Sequence, residues 1–185
     1  MQEQTPDPRS RYEQALATAT LLHDRQAIEA ALDRMGAEIS KRLAGTRPVY
    51  VTVLTGGLIT AGMLAPRIQL DLDFDYVHVS RYRGATSGGE LEWRARPRHA
   101  FAGRDVLFVD DILDEGYTLA ALKAFAHAEG ARSVSVAVLT RKLHDRCVPG
   151  LHADVVGLEV PDRYVFGCGM DFEEHGRNLF GIYAL

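Results

Sequence analysis

The sequence predicts an α/β protein with a parallel sheet core flanked by helices. Three observations carry that expectation: strand-like runs rich in β-branched residues, Ala- and Leu-rich stretches with the helical period, and a strand, helix, strand succession in the second half. Taken in order, apolar residues from about Tyr12 to Leu43 recur three and four apart, which predicts two helices joined near His23-Asp24. Pro48 then introduces VYVTVL, a buried strand stopped by a tight turn at Gly56-Gly57, and LITAGMLAPRI continues as a short helix. DFDYVHVSRY alternates as a strand does. Residues 80–95 then gather Gly, Ser and Arg without apolar periodicity, and read as a mobile loop long enough to be a lid. DVLFVDDI is a buried strand, TLAALKAFAHAEGA a helix stopped by Gly130, and SVSVAVLTRK another strand; that spacing predicts parallel neighbours. ADVVGLEV and RYVFGCGM add two short strand-like runs around Pro161-Asp162, and the tail DFEEHGRNLFGIYAL reads as irregular.

Composition narrows the function classes. At 185 residues one domain is expected, divided into a helical segment 1–46, an α/β core 47–160 and a terminal segment 161–185. With 46% apolar and 25% charged residues, neither disorder nor a fibrous repeat fits. Twenty-one Lys and Arg against 25 Asp and Glu give a net charge of −4, which argues against a dedicated nucleic-acid binder. The arginines at 81, 83, 94, 96 and 98 suit attraction of a polyanionic substrate instead. Cys147 and Cys168 form no C-x-x-C pair; both read as small buried residues in a reducing compartment. The polar N-terminus, and the lack of any apolar stretch of the ~18 residues a membrane span needs, lead us to expect a cytoplasmic protein without a membrane partner. The histidines show no metal-ligand spacing; His144 with Cys147 is a weak pair.

The chemistry concentrates in Val106 to Leu119, VLFVDDILDEGYTL. An apolar strand delivers Asp110 and Asp111 to its C-terminal end, where an open α/β sheet places its ligands. Asp114, Glu115, Gly116, Tyr117 and Thr118 form the loop that opens the next helix. Unpaired N–H groups at that helix N-terminus suit a phosphate monoester, and Gly116 permits close approach of the backbone. Thr118 can cap the helix or bond the phosphate. Two carboxylates beside a phosphate cradle suit a ligand that also carries vicinal hydroxyls, as a ribose 5-phosphate does.

The segment resembles the phosphoribosyl-pyrophosphate motif of the type I phosphoribosyltransferases: four apolar residues, two acidic, two apolar, then Asp, a variable residue, Gly, any residue and Thr. From about Val49 to the C-terminus the likeness narrows to the hypoxanthine-guanine (6-oxopurine) branch. It implies the type I fold, with a small hood contributed by the terminal segments. The turn Leu54-Thr55-Gly56-Gly57 is similar to the family's pyrophosphate loop, with Thr55 where many members carry Lys, so the resemblance implies backbone N–H contacts there. Ser80-Arg81-Tyr82 is similar to the start of the catalytic flexible loop. Lys142 matches the lysine that reads the purine O6, Tyr164 the aromatic that stacks on the base, and Val165 the residue whose backbone reads the base edge. Asp171 matches the magnesium-linked carboxylate, and Arg177 a pyrophosphate contact. Glu115 replaces a common Thr. A carboxylate beside a phosphate would repel it, so its amide alone is expected to bind.

The reaction implied is displacement of pyrophosphate from phosphoribosyl pyrophosphate by N9 of hypoxanthine or guanine, giving IMP or GMP, with Mg²⁺ on the leaving group. Asp114 would face purine N7 and manage the proton shared between the ring nitrogens. Lys142 offers only donors, which suits a 6-oxo group and not the amino group of adenine. Two other readings start from the same residues. One is a regulatory protein that keeps the fold as a nucleotide sensor, which typically loses catalytic groups or gains a DNA-binding module; the other is a xanthine-preferring enzyme. The family is commonly a homodimer or homotetramer.

Overall fold

The computed structural model describes residues 7–81 and 91–185. A six-stranded sheet forms the centre. Its strands are β2 (Val49–Leu54), β3 (Asp73–Arg81), β4 (Leu91–Ala95), β5 (Asp105–Leu113), β6 (Ser133–Leu143) and β7 (Val155–Pro161), in the order β4-β3-β2-β5-β6-β7. All neighbours run parallel except β4, which is antiparallel to β3 at the edge. Because β2, β5 and β6 are covered on both faces, they carry the near-continuous apolar runs that made them legible.

Helices α2 (Arg25–Arg42) and α3 (Gly57–Leu64) cover one face of the sheet, with Ile28, Leu32, Met35, Ile39 and Leu64 packing on Tyr50, Leu107 and Leu139. On the other face α4 (Tyr117–Ala128) buries Leu119, Leu122 and Ala126 against Val51, Phe108 and Val136. Asp24 caps α2 by accepting from the Ala27 amide at 2.9 Å, and Lys41 and Arg42 in the last turn complement its carbonyl end. Among the described residues no helix is long and apolar enough to cross a membrane.

Three strands depart from the sequence reading. The segment read as two helices contains α1 (Pro8–Thr18), then β1 (Thr20–His23), before α2. The tail read as irregular contains β9 (Ile182–Ala184), which pairs with β1 on one side and β8 (Val165–Phe166) on the other in a small antiparallel sheet, β1-β9-β8. The end of the expected loop 80–95 is β4, pinned where Trp93 packs on Phe125 at 4.7 Å and carries the Arg96 guanidinium at 4.8 Å. Tyr82 and most of that loop lie outside the described residues.

Gly157 in β7 shows how closely α2 sits on the sheet. A Cβ there would stand 2.7 Å from both the Leu139 carbonyl oxygen and Met35 Sδ. Gly157→Ala is therefore expected to lower the free energy of unfolding by about 1–3 kcal/mol through overpacking, read from the midpoint of a urea titration.

Candidate active site

The carboxyl ends of β2 and β5 and the start of α4 enclose a cavity of about 340 Å³ lined by Gly56, Asp110, Asp111, Asp114, Thr118 and Arg177 among others. Strand β5 turns alternate residues to opposite faces until Asp110 and Asp111, then ends at Leu113. The Asp111 amide donates back to Asp110 Oδ1 at 2.9 Å, and the Asp111 carbonyl is fixed by the Thr140 hydroxyl at 2.9 Å. Burial, together with the adjacent Asp111 charge, pushes the Asp110 carboxyl well above the usual carboxylate range. Burial also raises Asp111, while the Arg177 guanidinium pulls it back.

Gly116 precedes α4 with φ +82°, in the left-handed region, and a Cβ there would also run into the Leu151 and Leu113 side chains. From behind, the Val148 amide donates to the Glu115 carbonyl at 2.9 Å, so the loop is braced by residues after β6. No side chain caps α4, which leaves Thr118 out of the capping role considered from sequence, and Gly116 and Thr118 line the cavity. Tyr117 opens the helix and is half exposed, and both it and Glu115 line the cavity.

The turn after β2 is built by contact. Its Leu54-Thr55 peptide is cis, Thr55 is exposed, and Gly56 leans on the Asp111 carboxylate. A Cβ on Gly57 would stand 2.6 Å from the Val109 carbonyl oxygen. The C-terminal segment closes against the same place through Gly169, where a Cβ would meet the Gly56 carbonyl. Arg177 is held in this arrangement by donating to the Gly169 carbonyl at 2.9 Å and pairing with Asp171 at 2.7 Å.

Asp171 also accepts from the Glu174 amide at 2.8 Å, and the Tyr164 hydroxyl donates to the Asp171 carbonyl at 3.1 Å. Tyr164 is 51% exposed, and its ring meets Phe172 edge-on at 5.6 Å. Val165 is in β8, an edge strand. The Tyr164 carbonyl accepts from the Leu185 amide in the sheet, so strand alternation turns the Val165 N–H and C=O toward the open edge. Ser80 donates to Glu92 Oε2 at 3.0 Å across the β3-β4 pair, which is also where Arg81 sits in register with Leu91.

Lys142, at the end of β6, donates to Asp114 Oδ2 at 2.6 Å. A residue set aside in the sequence, His144, reaches Asp114 Oδ1 from Nε2 at 2.6 Å with its side chain only 3% exposed. Burial would raise Asp114, yet the bonds from Lys142 and His144 outweigh it and hold the carboxyl below the usual range. Cys168 is buried, which pushes its thiol up to about 12, whereas Cys147 is only half-buried, unlike the reading from sequence. Among the described residues no three His, Cys, Asp or Glu side chains gather as a metal cluster.

Comparison with known proteins shows what the chain is similar to. Residues 18–174 match the family model described as a phosphoribosyl transferase domain. The hypoxanthine-guanine phosphoribosyltransferase of Streptococcus pneumoniae is 35% identical over 153 residues, 82% of this chain and 84% of that protein. The Bacillus subtilis protein of the same name is 34% identical over 160 residues, 86% of this chain and 88% of its own. Among solved structures, a hypoxanthine phosphoribosyltransferase from Staphylococcus aureus superposes with a TM-score of 0.84 at 29% identity, covering 90% of each chain.

The raised Asp110 carboxyl makes a stability prediction. A carboxyl that keeps its proton longer when folded weakens the native state as pH rises above the unfolded value and toward the folded one. Asp110→Asn keeps the oxygen that accepts from the Asp111 amide and removes the charge. It is expected to raise Tm at pH 7–8, with the gain over the parent shrinking as pH approaches about 4, in thermal scans across pH.

Proposed function

The chain belongs to the phosphoribosyl transferase family, and from that premise we propose that it transfers the 5-phosphoribosyl group of phosphoribosyl pyrophosphate to N9 of hypoxanthine or guanine. Pyrophosphate leaves, and IMP or GMP forms, a purine-salvage reaction. The observation that carries this reading is the convergence of paired acids, a helix N-terminus and a guanidinium on one cavity.

In this reading the amides of residues 115–118 hold the 5-phosphate, and Asp110 and Asp111 accept from the ribose hydroxyls. Thr55 and Gly56 offer backbone amides to pyrophosphate, with the Arg177 guanidinium adding paired donors. Asp171 would hold a magnesium ion together with substrate oxygens. That ion, when bound, supplies neutralisation of the charge on departing pyrophosphate. Tyr164 stacks on the base and the outward amide group of Val165 meets its edge. Ser80, Arg81 and Tyr82 lead into the segment that would close over the reacting centre and exclude water.

Asp114 and Lys142 divide the purine between them. Lys142 presents donors to the 6-oxo oxygen, and Asp114 takes or returns the proton at N7 as N9 bonds to the anomeric carbon. For Lys142 to reach the base it gives up its bond to Asp114 Oδ2, which frees that oxygen for the N7 proton. A homodimer or homotetramer is part of the reading, supported by the exposed Leu58, Phe74 and Tyr76 around one groove.

The test is incubation with phosphoribosyl pyrophosphate, Mg²⁺ and a panel of hypoxanthine, guanine, xanthine, adenine and uracil. Nucleotide is expected from hypoxanthine and guanine; turnover of adenine or uracil without hypoxanthine would overturn the substrate reading. In the same assay Asp114→Asn should cut kcat by on the order of 10²-fold while leaving phosphoribosyl pyrophosphate affinity nearly unchanged.

A further inference from the structure

Asp114 lines both the main cavity and a second one of about 380 Å³, and His144 lines only the second. The imidazole therefore reaches the carboxylate from the second cavity, which Lys142 also lines. Its two nitrogens have distinct partners. The backbone amide of Arg146 donates to His144 Nδ1 at 3.0 Å, which leaves that nitrogen without a hydrogen. The hydrogen then sits on Nε2 and is donated to Asp114 Oδ1 at 2.6 Å.

A buried histidine with both nitrogens satisfied is often only structural. The difference here is the acceptor, a carboxylate whose second oxygen is held by a residue that must move. When Lys142 turns to a purine oxygen, Asp114 loses one donor at the moment it has to accept a proton. We propose that His144 is a positioning residue: fixed as its Nε2–H tautomer by the Arg146 amide, it keeps Asp114 aimed and ionised while Lys142 changes partner. This rests on the reading of Asp114 as the group at purine N7.

Asp114 is faced by Lys142 from the end of β6, by His144, and by the Arg146 guanidinium, which is itself paired with Asp162 at 2.7 and 2.8 Å; Glu115 follows it in the chain. Losing the His144 donor removes one of the bonds that hold Asp114 low, so its titration moves to higher pH. The acidic limb of kcat moves with it.

Two variants separate position from shape. His144→Phe fills the space without a donor, and His144→Gln restores an N–H near the Nε2 position. His144→Phe is expected to lower kcat on the order of tenfold and shift the acidic limb upward, with phosphoribosyl pyrophosphate affinity unchanged; His144→Gln should recover both. A His144→Phe protein with the parent's kcat and pH profile would overturn the proposal. Two NMR measurements need no turnover: the ¹⁵N signature of the His144 ring, and the ¹³C titration of the Asp114 carboxyl. An Nδ1–H tautomer in the parent, or an Asp114 midpoint the same in parent, Phe and Gln proteins, would sink it even if the enzyme were active. An inactive parent with the expected tautomer and midpoint shift would instead refute the N7 reading and leave the His144 bond standing. Should His144→Phe not fold, the parent tautomer and the Gln variant's pH profile decide: an Nε2–H ring with a retained limb supports the role, and an Nδ1–H ring or a displaced limb overturns it.

Discussion

A side chain at Gly56 would collide with the Asp111 carboxylate, one at Gly57 with the Val109 carbonyl, and one at Gly169 with the Gly56 carbonyl. Three stretches of chain far apart in sequence thus meet backbone to backbone at the end of β5. The cavity depends on that contact, because it sets the distance between the turn after β2, the acids of β5 and the C-terminal segment that carries Arg177. A parallel sheet makes the meeting possible, since β2, β5 and β6 all release their following loops at the same rim.

The two rims of the sheet treat acids in opposite ways. At the amino-terminal rim Asp73 bridges Arg47 and Arg104, each at 2.6 Å, and Asp105 is held by Arg132 and Ser133. Both carboxyls are lowered, with the arginine hydrogen bond as the largest cause, which is the pattern of groups satisfied for stability. At the carboxyl-terminal rim burial raises both Asp110 and Asp111, with the Asp111 charge adding to the rise of Asp110, while Asp114, four residues from Asp110, is lowered by its two donors. Neighbouring carboxyls are thus driven in opposite directions, which suits the proposal that Asp114, kept ionised, is the base.

The part of this site that could be read from sequence is the part encoded locally. Asp110 through Thr118 sit on one strand, one loop and one helix start, so an apolar run followed by acids and a glycine is enough to place them. Lys142 became legible through resemblance to the family. His144 did not, since its partner Asp114 lies 30 residues away and its spacing to other histidines and to Cys147 matches no ligand pattern. Strands β1 and β9 failed for a related reason. Runs of four and three residues are too short to show a period of two, and they become strands by pairing across the whole chain. The hydrogen bonds of β4 likewise come from β3, against a local composition of Glu and Arg that reads as loop.

The small sheet these strands form has a consequence for specificity. Tyr164 and Val165 are fastened to β9 and, through it, to β1, so these two groups proposed to meet the base belong to a different sheet from the acids proposed to meet the sugar phosphate. The two sheets touch at the site through Gly169 on Gly56 and Asp111. A change on the β8 edge can therefore alter which base is accepted while the phosphate loop, braced separately by the Val148 amide on Glu115, keeps its shape. Asp114 and Lys142, also proposed to meet the base, lie instead at the ends of β5 and β6 in the central sheet. They must serve any base the small sheet admits, which is why a partner that steadies Asp114 from outside the cavity is worth more there than another contact within it.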